Sequence, residues 1–184
     1  MPRTRRRLVA VLVIPALLAM VAATMLAGPA QAATAQPITN WANRKCIDAA
    51  VERERLGQVQ IWDCNGQPQQ QWTERITISS DGTRYITEFV NQKFGMCLND
   101  YQGTIGIQAC NDDLGGSTQN QWVVYYAYNP GAAVGGWYQQ LQNIGDGSCL
   151  TLNDNSSLNG TGLHIYPCDP THNSTAQRWK LGGN

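Results

Sequence analysis

The sequence predicts an all-β chain built from three units of about 50 residues, and three observations carry that prediction. The first is spacing. Six cysteines stand at 46, 64, 97, 110, 149 and 168, and alternate ones (Cys46, Cys97, Cys149) recur after 51 and 52 residues, a period typical of internal repeats. The second is alternation. Ahead of the second cysteine of each unit the chain reads Val59-x-Ile61-x-x-Cys64, Ile105-x-Ile107-x-x-Cys110 and Leu163-x-Ile165-x-x-Cys168, the period of a strand with one buried face. The third is closure. Each unit ends on a tryptophan after an amide-rich run: Gln70-Gln71-Trp72, Asn120-Gln121-Trp122 and Gln177-Arg178-Trp179. No stretch of ten or more residues shows a convincing 3.6-residue period.

The elements follow in order along the chain. Residues 1–7 hold four arginines and no acid, residues 8–26 are apolar except Thr24, and Ala30-Gln31-Ala32 precedes Ala33. Basic, apolar, small-residue is the order of a secretory signal peptide. Cleavage is expected near Ala32, leaving residues 33–184 as a secreted domain. Gly28-Pro29 argues against an uncleaved anchor helix, and the absence of a cysteine after the site argues against a lipid anchor. The 152 residues that remain carry nine basic and thirteen acidic side chains, a net charge of −4. Without a basic run, nucleic acid is not an expected partner. Without a long apolar stretch, the mature chain is not expected to enter a membrane.

The three units cover about 36–75, 84–125 and 137–182. In each, an asparagine (Asn40, Asn91, Asn143) lies six residues before the first cysteine. An apolar residue (Ile38, Phe89, Leu141) lies two before that asparagine, and an aliphatic one (Ile47, Leu98, Leu150) follows the cysteine. Asn111-Asp112-Asp113 and residues 153–162 read as turns. One such unit has too little core to stand alone, so the three are expected to share one. Residues 129–136, with Pro130-Gly131 and Gly135-Gly136, read as a long connection between the second and third units. Around it crowd Tyr125, Tyr126, Tyr128, Trp137 and Tyr138, most of which are expected to fill the core. Glu52-Arg53-Glu54-Arg55 reads as a solvated turn.

Six cysteines allow 15 pairings, and export favours oxidation. Three equivalent units select three equivalent bridges: Cys46–Cys64, Cys97–Cys110 and Cys149–Cys168. Each would stabilise the fold by about 3 kcal/mol. There is no Cys-x-x-Cys and no nearby histidine pair, so no metal is expected, nor any other cofactor.

As a set, these motifs resemble the ricin-B-type lectin family, over essentially all of residues 36–182. The resemblance implies a β-trefoil: twelve strands in three four-stranded lobes about a pseudo-threefold axis. It also implies sugar binding, often of galactose- or xylose-containing glycans, in shallow pockets of up to one per repeat. Such a pocket combines a carboxylate after the first cysteine, an aromatic two before the second, and amides near the Gln-x-Trp motif. The chemistry is intelligible. An apolar pyranose face packs on a flat ring. Adjacent hydroxyls donate to an ionised carboxylate, and amides supply both donors and acceptors.

Carried over to repeat one, the resemblance implies Asp48 as carboxylate, Trp62 as platform and Gln60 as its neighbour, with Asn65, Gln69 and Gln70 supplying amides. The family often has Asn where Gln69 stands. Val59 and Ile61 alternate inward, so Trp62 should point outward. Gln70 is expected either to meet the sugar or to brace Asp48. Repeat two departs at each key point, with Asn99, Gln108 and Asn120, and is expected to lack a site. Asp100 falls one place late, on the other face of the strand. In repeat three Tyr166 and Gln177 keep the platform and the amide, and Thr151 replaces the carboxylate. Tyr166, Gln177 and the loop residue Asp154 form a second candidate set. Asn155, Asn159 and Asn173 begin Asn-x-Ser/Thr sequons.

The only histidines, His164 and His172, lie in repeat three. No nucleophile motif surrounds either of them, and the three repeats occupy the whole segment after the leader. The expectation is therefore a non-catalytic secreted lectin for glycans or polysaccharide. Two alternatives stand beside it. One is a protein-interaction or delivery subunit of a secreted complex, similar to the lectin-like subunits of cytolethal distending toxins. The other is a trefoil protease inhibitor.

Overall fold

The structure is a computed structural model that describes residues 34–49, 58–111, 117–129 and 136–182. The segment expected to be a leader, the Glu52–Arg55 run, Asp112-Asp113 of the expected turn and residues 130–135 lie outside the described residues. Twelve strands run through the described part: β1 (Ile38–Asn40), β2 (Cys46–Ala49), β3 (Val59–Trp62), β4 (Trp72–Ile78), β5 (Tyr85–Asn91), β6 (Cys97–Tyr101), β7 (Thr104–Gln108), β8 (Trp122–Asn129), β9 (Gly136–Asn143), β10 (Cys149–Leu152), β11 (Thr161–Tyr166) and β12 (Trp179–Leu181). Short 3-10 turns at Pro68–Gln70, Thr118–Asn120 and Thr175–Gln177 precede the closing tryptophans. Among the described residues no helix is long and apolar enough to cross a membrane.

All pairings are antiparallel. The order β11-β3-β2-β1-β12-β9-β8-β5-β6-β7 closes on itself through a β11–β7 pairing, with β10 attached to β9 and β11, and β4 to β5. Closure leaves the ring without a free edge, which protects short strands from pairing with other chains.

The core follows the alternation read from the sequence. Ile38, Phe89 and Leu141 meet Ile47, Leu98 and Leu150, together with Val59, Ile61, Ile105 and Leu163. Trp72, Trp122 and Trp179 are fully buried. A buried indole N–H needs an acceptor, and each finds the same one: the carbonyl of Ile47 (3.1 Å), Leu98 (3.1 Å) or Leu150 (3.0 Å), the residue after a first cysteine. The repeated asparagines are latches. Asn91 Nδ2 donates to the Gln69 carbonyl, Asn143 Nδ2 to Gln119, and Asn40 Nδ2 to Thr175 and Arg178. Each buried amide thus ties a unit to the closing turn before it, and Asn40 joins the first unit to the last. The three disulfides pair as expected: Cys46–Cys64, Cys97–Cys110 and Cys149–Cys168.

The connection read over residues 129–136 lies mostly outside the described residues, and the strands on either side of it, β8 and β9, stay paired from Trp122↔Asn143 to Asn129↔Gly136. One expectation is corrected in this region. Its aromatics do not fill the core. Of the five, only Tyr138 is buried, while Tyr125, Tyr126, Tyr128 and Trp137 are exposed. The hairpin runs on past the buried core, so these four rings stay in solvent.

Candidate functional site

The site in the first unit is positioned by β2 and β3. Their register sets Asp48 opposite Gln60 and Cys46 opposite Trp62. Directly opposed residues share a face, so these four side chains lie on the face away from Ile47 and Ile61. Trp62 is 39% exposed, as its place in the alternation requires. The Cys46–Cys64 bridge pins the chain just beyond it.

Asp48 behaves differently from an open carboxylate. It is 5% exposed, because the Pro68–Gln70 turn folds over it. Gln70, itself buried, donates from Nε2 to Asp48 Oδ2 (2.9 Å) and to the Asp63 carbonyl (3.0 Å), and accepts the Asn65 N–H at Oε1 (2.8 Å). These bonds commit the Gln70 amide to holding Asp48 in place. Among the described residues Asp48 Oδ1 has no hydrogen-bond partner, which leaves one carboxylate oxygen for an incoming hydroxyl. Asn65 is exposed at the rim, its Oδ1 accepting from the Gln67 N–H. Gln69 is half-buried and its carbonyl serves the Asn91 latch. Nothing among the described residues joins its side chain to Asp48 or Trp62.

Sequence reasoning missed a wall of this site. Gly160, from the turn before β11, sits where an added Cβ would lie 3.8 Å from both Trp62 Cζ3 and Gln60 Oε1. Next to it Asn159 Nδ2 donates to Asp63 Oδ2 (2.8 Å), and Asn159 Oδ1 accepts from the Asp63 N–H (2.9 Å) and from Lys45 Nζ (2.9 Å). Lys45 also pairs with Asp63 Oδ1 at 2.5 Å. Hydrogen bonds from Lys45 and Asn159 hold the Asp63 carboxyl below its usual range. The sequence marked Asn159 only as a sequon, about 100 residues from Trp62, and no local signal links the two.

The second candidate set is less assembled. Tyr166 is exposed and stands edge-on to His164, with ring centroids 6.1 Å apart. Gln177 is buried and repeats the brace, donating to Thr151 Oγ1 (3.1 Å) and the Pro167 carbonyl (3.0 Å) while accepting the Asp169 N–H (2.8 Å). The loop residue that reaches this face is Asn153, hydrogen-bonded to His164 Nδ1. Asp154 is exposed, at φ +52°, with no bond to Tyr166 or Gln177. In the second unit Asn99 is buried, and Asp100 lies on the other face of β6, opposite Ile105, as expected; it is buried and accepts the Gly103 N–H at 2.8 Å. Burial pushes the Asp100 carboxyl above its usual range.

Comparisons with known proteins agree with this architecture. The sequence model of the ricin-type beta-trefoil lectin domain family matches residues 34–132, more than half of the chain. No curated protein matches the sequence. Among solved structures, the chain is similar to the cytolethal distending toxin of Haemophilus ducreyi (15% identity, TM-score 0.64, 85% of this chain and 87% of that one). It is also similar to the BEL beta-trefoil (12%, TM-score 0.59, 82% and 93%). A third similar structure is an exo-beta-1,3-galactanase from Clostridium thermocellum (21%, TM-score 0.61, 82% of this chain and 30% of the enzyme). At these identities the likeness speaks to the fold.

Proposed function

Because the chain belongs to the ricin-type β-trefoil lectin family, we propose that it is a secreted, non-catalytic lectin of three pseudo-threefold-related units that binds galactose- or xylose-type glycans through its first unit. The observation that carries the reading is the pairing of an outward Trp62 ring with a braced Asp48 carboxylate, one oxygen of which is unclaimed. The ring takes the apolar face of a pyranose while Oδ1 accepts from a hydroxyl, a charge-assisted bond stronger than a neutral one. Gln60 and Asn65 line the rim with amides that both donate and accept. Gln70 acts one step back, orienting Asp48. The likeness to part of a galactan-cleaving enzyme supports a galactose-type ligand.

A glycan array probed with the secreted protein tests the reading. Trp62→Ala and Asp48→Asn are each expected to abolish the signal with the thermal unfolding midpoint nearly unchanged, since Trp62 is outside the core and Asn can still accept from Gln70. Undiminished binding in both variants would overturn the assignment. A second reading, a delivery subunit of a secreted complex, is favoured by one observation, the exposed aromatics of the β8–β9 hairpin.

A further inference from the structure

Two neighbouring hairpins carry large apolar side chains out past the core. On β4, Trp72, Glu74, Ile76 and Ile78 share a face, and Tyr85 opposes Ile78 across the pair. On β8, Trp122, Val124, Tyr126 and Tyr128 share a face, and Trp137 opposes Tyr128 with ring centroids 5.4 Å apart. In both hairpins this is the face that starts in the core at a buried tryptophan. The hairpins are joined by the β5–β8 pairing at Thr87↔Trp122, and Thr87 in turn opposes Ile76 across β4–β5. The two faces therefore converge. Six side chains, Ile76, Ile78, Tyr85, Tyr126, Tyr128 and Trp137, are each 53–69% exposed there.

We propose that this double-hairpin face is the interface of a homodimer, closed by a second copy of the same chain. Area is the first argument. Taking roughly 200 Å² for a large side chain, the six expose about 700 Å² together. The largest apolar patch on an ordinary monomer is about 300–600 Å², whereas a standard interface buries about 800 Å² per partner. Charge is the second argument. Residues 33–184 carry a net charge of −4, so two copies repel over most orientations. On this face the one acid, Glu74, is half-buried and tied to Gln36 Nε2 at 2.7 Å. At its rim the turn between β4 and β5 carries Asp81 and Arg84, one of each sign. A twofold contact places the same patch against itself, so the acid of one copy can meet the base of the other. Such a dimer also carries two copies of the first-unit sugar site, and two weak sites on one particle bind a surface more tightly than one.

Sedimentation of the secreted protein from low micromolar to about 100 μM tests the proposal. The expected result is a dimer mass that reverts to monomer in Tyr126→Ser/Trp137→Ser, with the unfolding midpoint of the variant monomer no lower than its concentration dependence predicts. Ile78→Ser and Tyr85→Ser on the other hairpin are expected to weaken the dimer as well. A monomer at every concentration would overturn the proposal, as would a dimer that survives all four substitutions, or stable association of the face with a different protein while the chain alone stays monomeric. None of these outcomes depends on the glycan-array result, so the two readings fail separately.

Discussion

Gln70, Asn120 and Gln177 hold the same place in the three closing motifs, and one methylene separates their behaviour. The two glutamines reach back to the residue two beyond the first cysteine, Asp48 or Thr151. Gln177 also accepts from Gln140 Nε2 at 3.2 Å. Asn120 stops short. It donates to the Ala109 carbonyl at 3.3 Å and accepts from Asn111 Nδ2 at 2.6 Å. Among the described residues the buried side-chain atoms left without partners are Asn99 Nδ2 and Glu88 Oε1, which stand in the second unit where Thr151 and Gln140 stand in the third. A buried polar atom left unpaired costs about 1–3 kcal/mol. Gln177→Asn is expected to lower the unfolding free energy by about 1–3 kcal/mol, read by denaturant titration. The substitution at 120 was legible in the sequence as a departure from the motif. Its consequence was not, because the partners lie on three other elements.

Among the elements, the loop between β11 and the last 3-10 turn is organised by one carboxylate. Asp169 accepts from the Thr171 hydroxyl (2.7 Å) and from the N–H groups of Thr171 (2.9 Å), Asn173 (2.6 Å) and Ser174 (2.6 Å). With the Thr171 hydroxyl contributing most, these bonds lower its pKa from the ordinary 3.8 to about 2. A carboxyl depressed in the folded state adds stability above its unfolded pKa and loses it as pH falls through the folded one. Stability is therefore expected to drop between about pH 4 and pH 2. Asp81, also held at about 2 by Ser79 and Thr83, shares that window. Asp169→Asn is expected to be less stable than the parent at neutral pH and to lose less on acidification, in denaturant melts at the two ends of that range. An equal acid loss in both proteins would remove Asp169 as a source. The β8–β9 hairpin carries the opposite lesson. Its aromatic content was plain in the sequence and suggested core filling, but alternation says only which face a residue takes. It does not say where the core ends along that face.

At the scale of the whole molecule, the proposed sugar site belongs to two distant parts of the chain. Trp62 and Asp48 come from β2 and β3, while Gly160 and Asn159 come from the turn ahead of β11, brought there by the pairing of Thr161 with Ile61 and Gly162 with Gln60. Asn159→Ala removes two bonds to Asp63 and one to Lys45. Because these bonds are exposed to solvent, the unfolding midpoint is expected to change little, while glycan binding weakens roughly three- to tenfold, about 0.7–1.4 kcal/mol. Unaltered affinity, measured by titration calorimetry, would show that the turn does not position Trp62. The sequence by itself determined the all-β class, the three disulfides, the inward row of Ile, Leu and Trp, and the outward Trp62. These rest on period-2 alternation and on repetition, which are properties of neighbouring residues. Only the tertiary structure decided that Asp48 is covered and braced, that Asn40 joins the first unit to the last, that Gly160 walls the site, and that four aromatics stay in solvent. Each of these depends on which strands are adjacent in the closed ring, and adjacency across 100 residues is set by packing rather than by any local pattern.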